Sequence, residues 1–145
     1  MASVKYEVGS TSTVMTTALD GLAANSNAIS DEIDNSTTKY LFDDVELSCL
    51  DDGYSSFADG SGFDLYMVRK TLDDGSFEDG DGSIDPPASN LIGVFGNNTT
   101  SNQIHILRQI PIPPAPYKYV IINRSGDFGS SGSTLKVRPY RYQTT

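Results

Sequence analysis

Leu91-Ile-Gly-Val-Phe95, Ile104-His-Ile-Leu107, Tyr117-Lys-Tyr-Val-Ile-Ile122 and Leu135-Lys-Val-Arg138 follow one another through the last third of the chain, separated by Gly, Pro, Asn and Ser. Each run is short, rich in β-branched and aromatic side chains, and bounded by turn formers, which is the composition of strands. The stretch from Leu91 to Tyr142 carries no recognisable catalytic motif. It reads as a rigid antiparallel scaffold whose loops make the contacts, and it favours a binding or structural protein over an enzyme.

The same period continues upstream. Val45, Leu47 and Cys49 alternate with Asp44, Glu46 and Ser48, and Phe63, Leu65 and Met67 alternate with Asp64 and Tyr66. Successive strand side chains point to opposite faces, so each segment predicts a half-buried strand. Ile110-Pro-Ile-Pro-Pro-Ala-Pro116 predicts an extended turn outside any ladder. Tyr117–Ile122 and Thr134–Arg138 then read as a hairpin with a long polar tip from Asn123 to Gly132. Leu19, Leu22, Ala23, Ile29 and Ile33 lie near helical spacing, and Thr17 with Asp20 resembles a capping box. Gly21 and Asn25-Ser-Asn27 interrupt that helix, so the expectation is a short turn or helical loop followed by a strand over Ala28–Ile33. The fold expected is all-β, an antiparallel β-sandwich or jelly roll of about seven to eight strands. Residues 1–12 form an N-terminal arm or edge segment, and residues 13–145 a single domain.

Length and composition agree with one ordinary domain. The chain has 145 residues, 37% of them hydrophobic, and its eight Tyr and six Phe supply large faces to bury. Cys49 is the lone cysteine, which excludes an intramolecular disulfide and a cysteine-based zinc cluster. The opening Met-Ala-Ser-Val-Lys-Tyr-Glu-Val lacks the basic and apolar regions of a signal peptide, and no run reaches membrane-spanning length, so a product made in the cytoplasm is expected. Net charge is −9, and its distribution is uneven: residues 51–85 hold ten acids against two bases, whereas residues 104–145 hold one against six. Such a chain is expected to be repelled by nucleic acid. Lys136, Arg138 and Arg141 with Tyr140 and Tyr142 are read as alternation on a final strand and not as a phosphate footprint.

Catalytic chemistry finds little purchase. His105, the lone histidine, sits between Ile104 and Ile106 on a strand and has no Gly-x-Ser-x-Gly elbow to serve; it reads as a strand histidine facing solvent or packed against a loop. Cys49 lies on the apolar side of its strand and reads as an inert buried thiol. Most of the 19 acids sit in glycine-rich loops or on polar strand faces, where a raised pKa suited to glycoside hydrolysis is not expected. The loop from Thr71 to Pro87 is long enough to be functional or mobile, and its Asp73–Asp85 part is expected to face solvent and tolerate change. Within it Asp79-Gly-Asp81-Gly-Ser83-Ile-Asp85 sets oxygens at every second position, which makes Asp79, Asp81 and Asp85 a weak calcium candidate; Ile84 stands where an EF-hand needs glycine, and no closing glutamate follows. No catalytic residue and no cofactor is expected. The sequons at Asn35, Asn97, Asn98 and Asn123 reflect composition.

The order Asp34-Asn-Ser, Tyr40-Leu-Phe-Asp-Asp-Val-Glu-Leu47, Asp64-Leu-Tyr66, Asp74-Gly-Ser-Phe-Glu-Asp-Gly80, Pro86-Pro87 with Leu91-Ile-Gly-Val-Phe95, Ile110-Pro-Ile-Pro-Pro114 and Thr134-Leu-Lys-Val-Arg-Pro-Tyr140 resembles small virion proteins of tailed bacteriophages. The resemblance spans roughly residues 15–142, and its motifs are structural. It implies a jelly-roll virion component of the head-decoration, or cement, type, non-enzymatic, located on the virion, multicopy or homo-oligomeric, and partnered by the major capsid protein and neighbouring copies of itself, with no nucleic acid or membrane partner. The alternative is a tail-associated or receptor- and carbohydrate-binding sandwich module, in which Tyr54, Phe57 or Phe77 would stack on sugar rings.

Overall fold

The computed structural model describes residues 3–50, 61–97 and 102–144. Nine strands occur among them: β1 (Val4–Val8), β2 (Ser12–Met15), β3 (Asn27–Ile29), β4 (Phe42–Cys49), β5 (Gly62–Arg69), β6 (Leu91–Gly96), β7 (Gln103–Pro111), β8 (Tyr117–Asn123) and β9 (Thr134–Thr144). Single 3-10 turns stand at Thr17–Leu19 and Ala88–Asn90, and the described residues contain no α-helix. One sheet has the order β1-β9-β4-β7, with β2 also on β9, and the other β3-β8-β5-β6; every pairing is antiparallel. Strands β2 to β9 switch between sheets in the order of an eight-stranded jelly roll. The eleven residues of β9 serve two short strands on one edge. Leu135–Val137 pairs with β2 and Tyr140–Thr144 with β1. Gly9 joins them because a Cβ there would lie 2.8 Å from Pro139 Cγ, too close for a larger residue.

The core lies between the sheets. Val45, Leu47, Cys49, Leu135 and Val137 from the first sheet meet Phe63, Leu65, Met67, Tyr119 and Ile121 from the second, all buried. Gly93 lets β6 approach β7, since a Cβ there would fall 2.6 Å from Leu107 Cδ1. Burying these aliphatic and aromatic side chains contributes roughly 1.5–3 kcal/mol each.

Three expectations need correction. Tyr117–Ile122 and Thr134–Arg138 are not a hairpin: β8 and β9 belong to different sheets, and the segment between them crosses the end of the sandwich. That segment is anchored inside, with Phe128 buried edge-on against Phe63 and Asn123 Nδ2 donating to the carbonyls of Leu22 and Gly126. Ile110 and Pro111 belong to the ladder, opposite Asp43 and Phe42, and Ile112 N–H donates to Leu41 O. Pro111 is tolerated because β7 is an edge strand, with no partner on its far side among the described residues. The strand foreseen over Ala28–Ile33 stops at Ile29, because Asp31 N–H turns away to Val14 O, and Ile33 returns only as an isolated bridge to Tyr117.

The loop after β5 is exposed over most of Asp73–Asp85, as expected. Its acids do face outward, with Asp73, Asp74, Asp79 and Asp85 exposed. The loop nevertheless forms a lid over the outer side of the β3-β8-β5-β6 sheet. Tyr66, Val68, Val120 and Ile122 project there and are buried, with Phe77 packed against them. Lys70 bridges Phe77, Glu78 N–H donates to Arg69 O, and Arg69 N–H donates to Glu78 Oε2. Lys118 Nζ sits 4.6 Å from the Phe77 ring centre. Gly80 is buried at φ +133°, where a Cβ would lie 2.8 Å from Pro86 Cγ and 3.0 Å from Val68 Cγ1. Asp74 Oδ1 accepts from Thr71 Oγ1, Ser76 N and Ser76 Oγ. Led by the Thr71 hydroxyl, these bonds hold the Asp74 carboxyl down at about 2.

Candidate functional site

The opposite outer face, that of the β1-β9-β4-β7 sheet, has no such lid among the described residues. Period-two alternation places Val4, Tyr6 and Val8 of β1, Lys136, Arg138, Tyr140 and Tyr142 of β9, Phe42, Asp44 and Glu46 of β4, and Ile104, Ile106 and Arg108 of β7 on it. Tyr6 is 66% exposed and Ile104 65%. Near one end the rings form a continuous patch: Tyr6 to Tyr142 at 5.1 Å, Phe42 stacked on Tyr140 at 5.4 Å, and Phe42 edge-on to Tyr142 at 5.9 Å. Large apolar side chains exposed together on one face are the usual mark of an interaction surface.

Asp44 organises the centre of this face. Its Oδ2 accepts from Arg108 Nη1 at 3.1 Å and from Arg138 Nη2 at 3.3 Å, and its Oδ1 accepts from the Gln109 amide at 3.2 Å. The register explains the arrangement: Asp43 faces Ile110 and Val45 faces Leu107, so Arg108 and Gln109 together oppose Asp44 in a bulge. Gln109 takes φ +59°, the left-handed region. A bulge of this kind re-aims side chains, and here it brings a β7 guanidinium beside the β9 one. Two grooves of about 210 and 300 Å3 meet at Asp44, Arg108 and Arg138. Sequence reading assigned Asp44 to a polar strand face and did not foresee this cluster, because the bulge leaves no mark in the alternation.

The second unforeseen group lies inside. Asp43 is fully buried on the inner face of β4, and its Oδ2 accepts from Tyr117 Oη at 2.6 Å and Tyr119 Oη at 2.7 Å. These bonds tie one sheet to the other across the core. Its Oδ1 has no partner among the described residues. Burial raises the Asp43 carboxyl above the usual carboxylate range, against the two tyrosine hydrogen bonds, and burial raises both tyrosine hydroxyls. A carboxyl closed off from solvent meets no substrate, so the group acts as a polar tie. Its signal was present, because Asp43 keeps the phase of Val45, Leu47 and Cys49.

The remaining candidates are scattered. His105 points opposite to Ile104 and Ile106, which face out, and is half-buried; its Nε2 meets Gln103 Oε1 at 2.5 Å. Gln103 in turn donates to Asn97, whose Nδ2 donates to Ser125 Oγ at 3.0 Å, so the ring closes a structural polar chain. Burial pushes the Cys49 thiol up to about 12, which leaves it protonated at neutral pH. Asp81 Oδ1 accepts from Ser83 N, Ser83 Oγ and Ile84 N, Asp85 Oδ1 accepts from Asn27 Nδ2, and Asp79 is exposed. The three calcium candidates thus serve separate roles, and no group of three or more His, Cys, Asp or Glu among the described residues is placed to hold a metal. Phe77 is packed under two lysines and unavailable for stacking on a sugar; Tyr54 and Phe57 lie outside the described residues. Asn35, Asn97 and Asn123 are buried, which bars glycans there, and Asn98 lies outside the described residues. Arg141 points away from the open face to Glu7 at 2.6 Å, so the terminal basic residues do not form one strip. No helix among the described residues is long and apolar enough to cross a membrane. No protein-family model matches the chain, and no curated protein matches it.

Proposed function

We propose that the chain is a non-enzymatic structural protein of a phage virion, a head-decoration protein whose open β1-β9-β4-β7 face adheres to the major capsid protein and to neighbouring copies. The observation that carries this reading is the inequality of the two outer faces. The chain covers four buried apolar residues on one sheet with its own loop, yet leaves Tyr6, Tyr142, Ile104 and Ile106 uncovered on the other. The sequence resemblance to phage virion proteins supports the same role, and the jelly roll is a frequent viral capsid fold, although fold by itself assigns no function. A repeated shell multiplies weak contacts into firm retention. Binding of purified protein to undecorated heads tests the proposal: saturable, stoichiometric occupancy is expected, and indifference to heads with tight binding to host cells or glycans would overturn it. That opposite outcome is the second reading, favoured by the groove that sets Tyr6 beside Arg108 and Arg138, a combination suited to an acidic sugar.

A further inference from the structure

We propose that copies of this chain associate head to tail, the acidic loop after β5 of one copy docking on the open β1-β9-β4-β7 face of the next. The inference rests on the reading of that face as the adhesive one. Charge is the first support. Residues 71–85 contain six acids and no base, whereas the grooves of the open face meet at Arg108 and Arg138 with Lys136 beside them, in a chain of net charge −9. Asp44 and Glu46 share that face, but Asp44 is already held between the two guanidiniums. Each arginine gives Asp44 one N–H, and a guanidinium has five, so both retain donors for a second carboxylate.

Shape of the loop is the second support. Asp74 and Asp81 each use Oδ1 to accept several hydrogen bonds in turns within the loop, which fixes its form before any contact and lowers the entropy lost on docking. Asp73 and Asp79 are exposed and make no hydrogen bond or ion pair among the described residues, and Leu72 beside Asp73 is wholly exposed. An acidic loop with a projecting leucine complements a basic groove flanked by Tyr6, Val8 and Ile106. Loop and groove lie on opposite outer faces of the sandwich, so one copy cannot satisfy itself. The contact is heterologous, which closes into a ring or extends as an array.

Sedimentation of the full chain at about 0.5 mM tests this, because exposed charge pairs weaken between about 50 mM and 500 mM salt. Wild type is expected to self-associate at the lower salt and dissociate at the higher. D73K/D79K and R108E/R138E are each expected to weaken association at least about tenfold, and their equimolar mixture to regain it, since each supplies the surface the other has reversed. The loop variant alters only exposed side chains, so it remains informative even if the face variant folds poorly. Monomeric wild type at low salt, or undiminished association of D73K/D79K, would overturn the contact. A wild type that stays monomeric yet decorates heads fails this inference alone; one that self-associates but ignores heads fails the decoration reading.

Discussion

The two outer faces of the sandwich differ in how their apolar side chains are kept from water. On the β3-β8-β5-β6 sheet, Val68 and Val120 are fully buried because the acidic loop folds back over them, held by Phe77 and Gly80. On the β1-β9-β4-β7 sheet, Val4, Tyr6, Ile104 and Ile106 have no cover, and a strained bulge spends backbone energy to set two arginines about one aspartate. Among the described residues, one sheet is covered by its own loop and the other is open.

The largest effect expected from that difference is a matched pair of charge insertions. Val120→Asp places an uncompensated carboxylate under the lid and should cost more than about 4 kcal/mol, enough to unfold a marginal domain. Tyr6→Asp on the open face should cost no more than about 1 kcal/mol. Thermal melts of both decide the matter, and similar losses would erase the distinction. Next in size is the lid itself. Gly80→Ala forces a Cβ within 2.8 Å of Pro86 Cγ at a positive φ, and a loss of about 1–3 kcal/mol is expected, with fluorescent-dye binding rising as Val68 and Val120 become accessible.

Both faces rest on a core crossed by Asp43, and its titration sharpens the picture. Its carboxyl is raised in the folded protein, so the stability it contributes is present below the unfolded value of about 3.9 and is lost as pH rises through the folded value. The difference in melting temperature, Asp43→Asn minus wild type, should therefore increase as pH goes from about 4 towards neutrality; a flat difference would show that burial does not perturb the group. Asp74 works in the opposite direction, because its carboxyl is lowered: lid stability is present above pH 4 and declines as pH falls towards 2. The smallest effect belongs to Asp79→Ser, within about 0.5 kcal/mol and insensitive to calcium or chelator. A large loss that calcium reverses would reinstate a metal site.

Much of this was legible in the sequence and some was not, for physical reasons. Alternation at Val45-Leu47-Cys49 and Phe63-Leu65-Met67 identified strands and their inner sides, because β4 has one dry face and β5 alternates apolar side chains with Asp64 and Tyr66 over the same stretch. At Ile104-His105-Ile106 the same alternation gave the two sides without saying which was inside; an edge strand on an open sheet can turn its isoleucines outward. Adjacency in sequence made β8 and β9 look like a hairpin, since nothing local reports that Phe128 anchors the connection inside the core. The acids of the loop announced exposure and masked the single Phe77 and buried Gly80 that make it a lid. The Asp44 cluster depends on a bulge, which pattern reading does not see.

Hydroxyl-radical footprinting of the protein, free and assembled on heads, tests the unequal faces most directly. Tyr6, Tyr142, Ile104 and Ile106 should lose reactivity on assembly while Val68 and Val120, already covered, stay unreactive in both states. Undiminished reactivity at Tyr6, Tyr142, Ile104 and Ile106 in assembled particles would contradict the account.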